Sequence, residues 1–371
     1  MTGQNRSYWE EELYNQKYDV VIIGAGLTGM SAAYFYKLNQ PNKKVLVLDR
    51  GIFPIGASTR NAGFACIGSV GELKSDLELE DKSAVMQRVK SRYAGLNLLR
   101  ETIGDENMDY GSVGGWEIFT EQSEYDQVAE FVPQLNEWME QTIGEEEVYK
   151  LGEYQGYKGI FNRVEGLLHP GKALKTLHQK AINVGVEFRW ETEVNAISED
   201  RKSISLANDW IIACEQLLVA TNAFSKNLLP DLEVTPGRGY VFITKPIDHL
   251  SWKGTFHVDE GYIYFRNLGE DRLLLGGARN QAKSEEETVN FGINPSIKAH
   301  LIEFANDVLQ LPNGWKIDRE WSGIMGFTPS KAYKLEPIGD QAFIAVGLSG
   351  MGVALGMQLG RDVAKLMRQN G

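Results

Sequence analysis

The sequence predicts an α/β fold, with strand–glycine loop–helix units at both ends of the chain and a mixed sheet between them. Three observations carry this. A complete strand–helix–strand unit opens at Tyr18, and a second strand, glycine loop and helix close the chain from Ala342. Between them, residues 234–278 alternate as half-buried strands do. A chain of 371 residues has room for two domains at roughly 100 to 200 residues each. No Pro-rich linker or internal repeat separates the ends from the middle. We therefore expect interleaved domains, residues 1–75, 155–233 and 320–371 forming one and residues 76–154 and 234–319 the other.

The elements follow in order. Tyr18-Asp19-Val20-Val21-Ile22-Ile23 reads as a short buried strand, and Gly24-Ala25-Gly26-Leu27-Thr28-Gly29 follows it directly. Residues 30–38 read as a helix, with Met30, Ala33, Tyr34 and Leu38 at helical spacing. Pro41-Asn42 makes the return turn, and Lys44 to Leu48 is a second buried strand that ends at Asp49. Residues 51–71 are rich in glycine and lack a period. Residues 83–100 and 121–139 read as helices, with a strand over 112–119 between them, and residues 172–183 as a third helix. Short strands are expected over 188–190, 194–197, 203–206, 210–214 and 216–220. Aromatic strands are expected at Tyr240-Val241-Phe242-Ile243 and Tyr262-Ile263-Tyr264-Phe265, and an apolar one at Leu273-Leu274-Leu275. Residues 280–296 read as a loop and 299–309 as a helix. The chain closes with a strand over 342–346, the loop Gly347 to Gly352 and a helix to Met367.

Glycine is the outlying residue: 39 positions, against a usual share of roughly 7%. In the first loop, Gly24 allows the tight turn, Gly26 admits a pyrophosphate close to the backbone, and Gly29 lets helix and strand pack closely. The helix N-terminus then offers amide donors and partial positive charge to phosphate. Asp49, about 20 residues further on, is placed to accept from ribose hydroxyls. The loop alone serves FAD or NAD equally well. A second cluster, Gly56-Ala57-Ser58-Thr59-Arg60-Asn61-Ala62-Gly63-Phe64, combines small residues and donors, as a flat ring lying on backbone requires. The third, Gly347 to Gly352, repeats the strand–loop–helix logic and aims a second helix N-terminus at a ligand that gains negative charge.

With these clusters in place, the chain resembles the D-amino acid oxidase-type FAD oxidoreductases, the group with glycine oxidase, sarcosine oxidase and gamma-glutamylputrescine oxidase. The likeness runs from about Tyr8 to Met367. It includes Leu168-His169-Pro170-Gly171, Val219-Ala220-Thr221-Asn222, Trp321-Ser322-Gly323, Phe327-Thr328-Pro329 and Pro337-Ile338-Gly339. Tyr8-Trp9 with Arg60-Asn61 is most similar to the gamma-glutamylputrescine oxidase branch. The resemblance implies a GR2-type, Rossmann-like FAD domain and a mixed-sheet substrate domain. It implies that Gly24, Gly26, Leu27, Thr28, Gly29, Asp49 and Arg50 hold the ADP half, with Val194 on the adenine side. Ser58, Arg60, Asn61, Ala62 and Gly63 would lie along the flavin, and Gly350, Met351, Gly352 and Val353 would meet its pyrimidine edge. Thr221 and Gly323 complete the expected cofactor contacts. Two positions depart from the pattern. Asn222 stands where the family often has glycine, and the strand Arg272-Leu273-Leu274-Leu275 lacks the lysine that sarcosine oxidases use for dioxygen activation.

Substrate-binding candidates are Arg238, Tyr240, Tyr262, Tyr264 and Arg266. Arginine grips a carboxylate in two-point fashion and tyrosine provides an amphipathic wall. Strand alternation puts Tyr262, Tyr264 and Arg266 on one face. His169, before a proline at a helix start, reads as structural, and Cys214 as core. Cys66 matches no covalent flavin attachment site, so noncovalent FAD is expected.

The implied reaction moves a hydride from the carbon of an amine or amino acid to flavin, and water then hydrolyses the imine. The flavin carries the difficult chemistry, so no catalytic acid–base residue is required. The acceptor is dioxygen or another carrier. A dehydrogenase acting on an amine or 2-hydroxy acid, and a flavin-binding accessory subunit, are the alternatives. Composition excludes other classes. The net charge of −12 argues against a broad nucleic-acid surface. Two cysteines and five unclustered histidines give no metal signature. No apolar run approaches the roughly 18 residues of a membrane span, and the first residues are polar and acidic, so a cytoplasmic chain is expected. No pattern encodes an oligomeric state.

Overall fold

In the computed structural model, residues 7–14, 16–207 and 210–369 are described. Part of the polar N-terminal segment lies outside them; residues Tyr8–Tyr14 form a short helix. The first sheet is built on the strand Tyr18–Ile23, paired in parallel with Val45–Leu48 on one side and Ile211–Val219 on the other. Val45–Leu48 is buried on both faces: helices cover one face of the sheet, and Ile204, Leu206 and Val234 pack on the other. Ala342–Val346 and Glu187–Arg189 extend it in parallel, and Lys334–Gly339 closes one edge antiparallel. Helices Leu27–Asn39, Lys82–Ile103 and Gly352–Gln369 pack together against this sheet.

The second sheet has the order Ile317–Phe327, Thr235–Thr244, Arg272–Gly277, Ile263–Leu268, Thr255–Val258, Gly115–Ile118, Tyr157–Asn162, Tyr149–Tyr154. Gly115–Ile118 runs parallel to Thr255–Val258, so the sheet is mixed and joins chain segments far apart in sequence. One face carries Phe242, Phe256, Phe265, Leu273 and Leu275 and is covered by the helix Pro295–Asp307. The other carries Val241, Leu274 and Tyr264, which pack on Ala62 and Phe64 from the second glycine cluster.

Several elements differ from the sequence expectation. Ile211–Val219 forms one strand where two were expected. Its first half alternates between exposed and buried, and its second half is wholly buried beside Tyr18–Ile23. Residues 121–139 form two helices, Gln122–Ala129 and Val132–Ile143, because Pro133 lacks an N–H and starts a helix instead of continuing one. Part of the aperiodic glycine stretch begins the helix Val70–Leu79, whose N-cap Ser69 accepts from the Glu72 amide. The hairpin Tyr149–Tyr154 with Tyr157–Asn162 and the long strand Ile317–Phe327 were not foreseen.

Candidate functional site

The first glycine loop is shaped by contacts that leave its cavity side open. Gly24 adopts φ +105°, and a side chain there would meet the Ala220 carbonyl at 2.7 Å. Gly29 packs so closely that a Cβ would lie 1.9 Å from the Gly24 carbonyl oxygen. It therefore serves helix–strand packing, and it does not line the cavity. The Asp49 carboxylate accepts from the Ala25 amide and from the Gly51 amide, both at 2.9 Å. The Leu27 amide donates to Ser58 Oγ at 2.9 Å, and no side chain of the N-cap residue Gly26 blocks the helix end.

From this loop a cavity of about 790 Å³ runs to the open face of the second sheet. Gly24, Gly26, Leu27, Thr28, Asp49, Arg50, Val194 and Thr221 line one end. Arg50 lies over the Phe224 ring at 4.2 Å there. Ser58, Arg60, Asn61, Ala62, Gly63 and Gly323 line the middle. Their polar side chains are tied to backbone. Arg60 Nε and Nη1 donate to the Ile55 and Ser322 carbonyls at 2.8 Å, and Asn61 Oδ1 accepts from the Gly63 amide at 2.9 Å. The segment is a stiff strip of backbone, suited to a planar ring.

Gly350, Met351, Gly352 and Val353 line the cavity at the start of the last helix. Asn222 explains how a residue other than glycine fits its position. It holds φ 48°, a left-handed conformation that asparagine tolerates, and its Oδ1 accepts from the Gly347 amide at 3.0 Å. It thereby ties the end of the strand Ile211–Val219 to the third glycine loop.

The substrate candidates separate. Tyr262 and Tyr264 line the cavity, and burial pushes the Tyr264 phenol up to about 12. Arg238 and Tyr240 do not. Gly239 and Val241 line the cavity, so residues 238, 240 and 242 share the face turned away. Arg238 makes a two-point pair with buried Glu286 at 2.8 Å, and the Tyr240 hydroxyl donates to Glu320 at 2.5 Å. Arg266 is buried behind Gly63, reaches its carbonyl at 3.4 Å, and its Nε has no partner among the described residues. Burial pushes its pKa down to about 10. His169 caps the helix Pro170–Asn183 by accepting from the Lys172 amide, and Cys214 is buried core.

Sequence reasoning missed two features of the wall. Arg279, in a short turn after the strand Arg272–Gly277, lines the cavity with its guanidinium 4.2 Å over the Phe327 ring. The second is a buried polar cluster. A His257 ring nitrogen, a Glu165 carboxylate oxygen and the Cys66 sulfur lie within 4.8 Å of one another, and His257 and Cys66 line the cavity. Glu117 lies behind them. Burial raises its carboxyl to about 7, against the pull of the Gly71 amide and the Ser69 hydroxyl. No signal in the sequence links these residues, which come from four separate segments.

The comparisons with known proteins match this architecture over most of its length. The family described as DAO, FAD dependent oxidoreductase, matches residues 19–366. The chain belongs to this family. It is 26% identical to a probable oxidoreductase, OrdL, of Haemophilus influenzae, across 94% of this chain and 82% of that protein. It is 24% identical to a glycine oxidase of Bacillus licheniformis, across 96% and 94%. A crystal structure of glycine oxidase from Geobacillus kaustophilus superposes with a TM-score of 0.74 at 20% identity, covering 95% of each chain.

As a DAO family member, the protein is an FAD-dependent oxidoreductase. The cavity fits that cofactor. It starts at a helix end whose N-cap residue is glycine, with an acid beside it, and it ends on an apolar sheet face. Asp49→Ala removes the group that orders the loop, and it is expected to weaken FAD retention about 10- to 100-fold, the value of one or two charge-assisted hydrogen bonds. Fluorescence titration of the apoprotein with FAD measures this; unchanged affinity would show that Asp49 has no part in holding the nucleotide.

Proposed function

We propose that the protein oxidises the C–N bond of an amine or amino acid, and that water hydrolyses the resulting imine. One observation carries this reading: a single cavity joins the dinucleotide loop to a wall of Phe64, Tyr262, Tyr264 and Arg279. When bound, FAD supplies the hydride acceptor. The chain supplies the rest. The tyrosines and Phe64 exclude water and orient the substrate carbon, and Arg279 offers two parallel donors to a carboxylate. The N-terminal amides of the helix Gly352–Gln369 stabilise developing negative charge at the middle of the cavity. In this division of labour, the parallel sheet holds the cofactor and the aromatic sheet holds the substrate.

We propose noncovalent FAD. Burial, then the charges of Glu165 and Glu72, hold the Cys66 thiol well above its ordinary pKa, so it stays protonated and unreactive. No helix among the described residues is long and apolar enough to cross a membrane, and both cysteines are free thiols, which suits the cytoplasm.

A second reading concerns the electron acceptor. Leu274 sits in an apolar cluster with Ala62, Val241, Phe64 and Tyr264, and the strand Arg272–Gly277 carries no lysine to attract dioxygen. This favours a dehydrogenase that passes electrons to a carrier. The test is a set of amines, amino acids and 2-hydroxy acids added anaerobically to the purified yellow protein. Loss of flavin absorbance with an amine or amino acid is expected. Bleaching only by 2-hydroxy acids would replace the C–N reading, and bleaching by none would leave an accessory flavoprotein. Air then separates oxidase from dehydrogenase by the yield of hydrogen peroxide.

A further inference from the structure

An amine gives up hydride when its nitrogen lone pair is free to form the C=N bond. At neutral pH most amines and amino acids arrive as ammonium ions, so a proton must leave first. His257 on the cavity wall and Glu165 behind it form a titratable pair suited to that task, and the reading that follows rests on amine oxidation as the reaction.

His257 lies on the strand Thr255–Val258, opposite Tyr264 of one neighbouring strand and Glu117 of the other. Residues paired across a sheet point to the same face, so its ring stands with Tyr264 on the cavity side. The ring is nine-tenths buried yet lines the cavity. Its Nε2 is 3.0 Å from Glu165 Oε2, and the Phe64 ring packs edge-on at 5.2 Å. Glu165 is 1% exposed and takes a further hydrogen bond from Asn162 Nδ2 at 3.4 Å. The other ring nitrogen, Nδ1, faces cavity-lining Gly261, 3.8 Å from where a side chain there would begin. A carboxylate on Nε2 fixes the proton of the neutral ring there and leaves the lone pair on Nδ1.

We propose that His257 is a catalytic base that takes the proton of the substrate ammonium, and that Glu165 is its positioning residue. In this step an N–H bond of the ammonium breaks, its electron pair stays on the amine nitrogen, and an Nδ1–H bond forms. Nothing is oxidised or reduced. The imidazolium formed is neutralised by Glu165 through Nε2–H. Subsequent hydride loss belongs to the flavin chemistry, and the proton leaves His257 with the product or to water.

Other groups face His257 from several elements. Glu117 comes from the strand Gly115–Ile118, and Glu72 from the helix Val70–Leu79, where it pairs with Arg92 of the helix Lys82–Ile103. Cys66 follows the strand Phe64–Ala65, Tyr149 opens the outer hairpin, Tyr264 stands alongside, and Asp259 and Glu260 occupy the adjoining turn. Burial pulls the His257 pKa down. The charge and hydrogen bond of Glu165, then the charges of Glu117 and Glu72, outweigh it and raise the pKa above 6.5. The base form therefore grows in as pH rises through a midpoint above that value.

The experiment is anaerobic flavin reduction by the holoenzyme across pH, with two substrates whose own amine pKa values differ by more than a unit. A limb that moves with the substrate belongs to the substrate, and a limb that stays put belongs to the protein. A stationary ascending limb above pH 6.5 is expected. His257→Gln should abolish it and slow reduction at neutral pH about 10²- to 10⁴-fold. Glu165→Gln should move it to lower pH, since the imidazolium loses its counter-charge. An NMR titration of the His257 ring, which needs no turnover, should show the same downward shift in Glu165→Gln. A stationary limb that survives His257→Gln, or one unmoved by Glu165→Gln where His257→Gln fails to retain FAD, overturns the proposal. If no amine reduces the flavin at any pH, the reaction reading itself has failed, a result that cannot be confused with a surviving limb.

Discussion

Replacing Arg279 by Leu is expected to raise KM for a carboxylate-bearing amine about 10- to 100-fold. One hydrogen bond between charged groups contributes roughly 1.5–3 kcal/mol, and each 1.4 kcal/mol is tenfold, so the loss of even one of the two gives a rise of this size. Arg279 is half-buried, lines the cavity and is stacked on Phe327, so its fork is held in place before substrate arrives. Burial lowers its pKa, offset in part by Tyr262, Glu287 and Glu286, and it forms no salt bridge among the described residues. Its guanidinium therefore has donors to offer, unlike Arg238, which Glu286 already occupies. A carboxylate distant from the reacting carbon is held equally in ground and transition states, so kcat should change little. The control is the same amine without its carboxylate, whose KM should be unaffected. An equal rise for both substrates, or for neither, would remove the carboxylate role.

Replacing Arg92 by Leu should lower stability by about 3–5 kcal/mol, the cost of leaving one partner of a buried ion pair uncompensated. Arg92 is 2% exposed, donates to the Ile67 carbonyl at 3.0 Å and pairs with Glu72 at 2.9 Å. At roughly 2–4 °C per kcal/mol, the melting temperature should fall on the order of 10 °C. The Glu72 carboxyl lies below its ordinary value: burial raises it, and the charge of Arg92, that of Lys331 and the Arg92 hydrogen bond outweigh that. A carboxylate with a lowered folded pKa stabilises above its unfolded value near 4.5 and loses that contribution as pH falls through the folded pKa. The gap between wild type and Arg92→Leu should therefore be full at neutral pH and narrow in acid. A double change, Arg92→Leu with Glu72→Leu, should recover part of the loss. Thermal unfolding between pH 3 and 8 checks both. A gap independent of pH would mean that lost packing, not charge, sets the cost.

Much of the candidate cofactor site was legible in the sequence because its lining is made of short segments. Gly24, Gly26 and Asp49 belong to one strand–helix–strand unit, so local spacing already sets their relation. Ser58 to Gly63 and Gly350 to Val353 are each continuous, and each reaches the cavity as a unit. Even Asn222, an exception by residue type, keeps the backbone conformation the position requires.

The substrate wall was less legible. Arg238 and Tyr240 share one face of the strand Thr235–Thr244, and no feature of the strand's sequence says which face meets the cavity. The helix Pro295–Asp307 decides that by covering their face. His257 and Glu165 are 92 residues apart and meet because Gly115–Ile118 pairs with Thr255–Val258 on one side and, on the other, with Tyr157–Asn162, which leads to Glu165.

The sequence by itself determined the α/β class, the dinucleotide unit and the three backbone strips that border the cofactor cavity. These depend on local chain geometry, on what glycine permits and a side chain forbids. Only the tertiary structure decided which arginine reaches the cavity, and only it produced the His257–Glu165 pair. Those depend on long-range strand pairing and on burial, which set charge and proton affinity through neighbours that sequence order does not reveal.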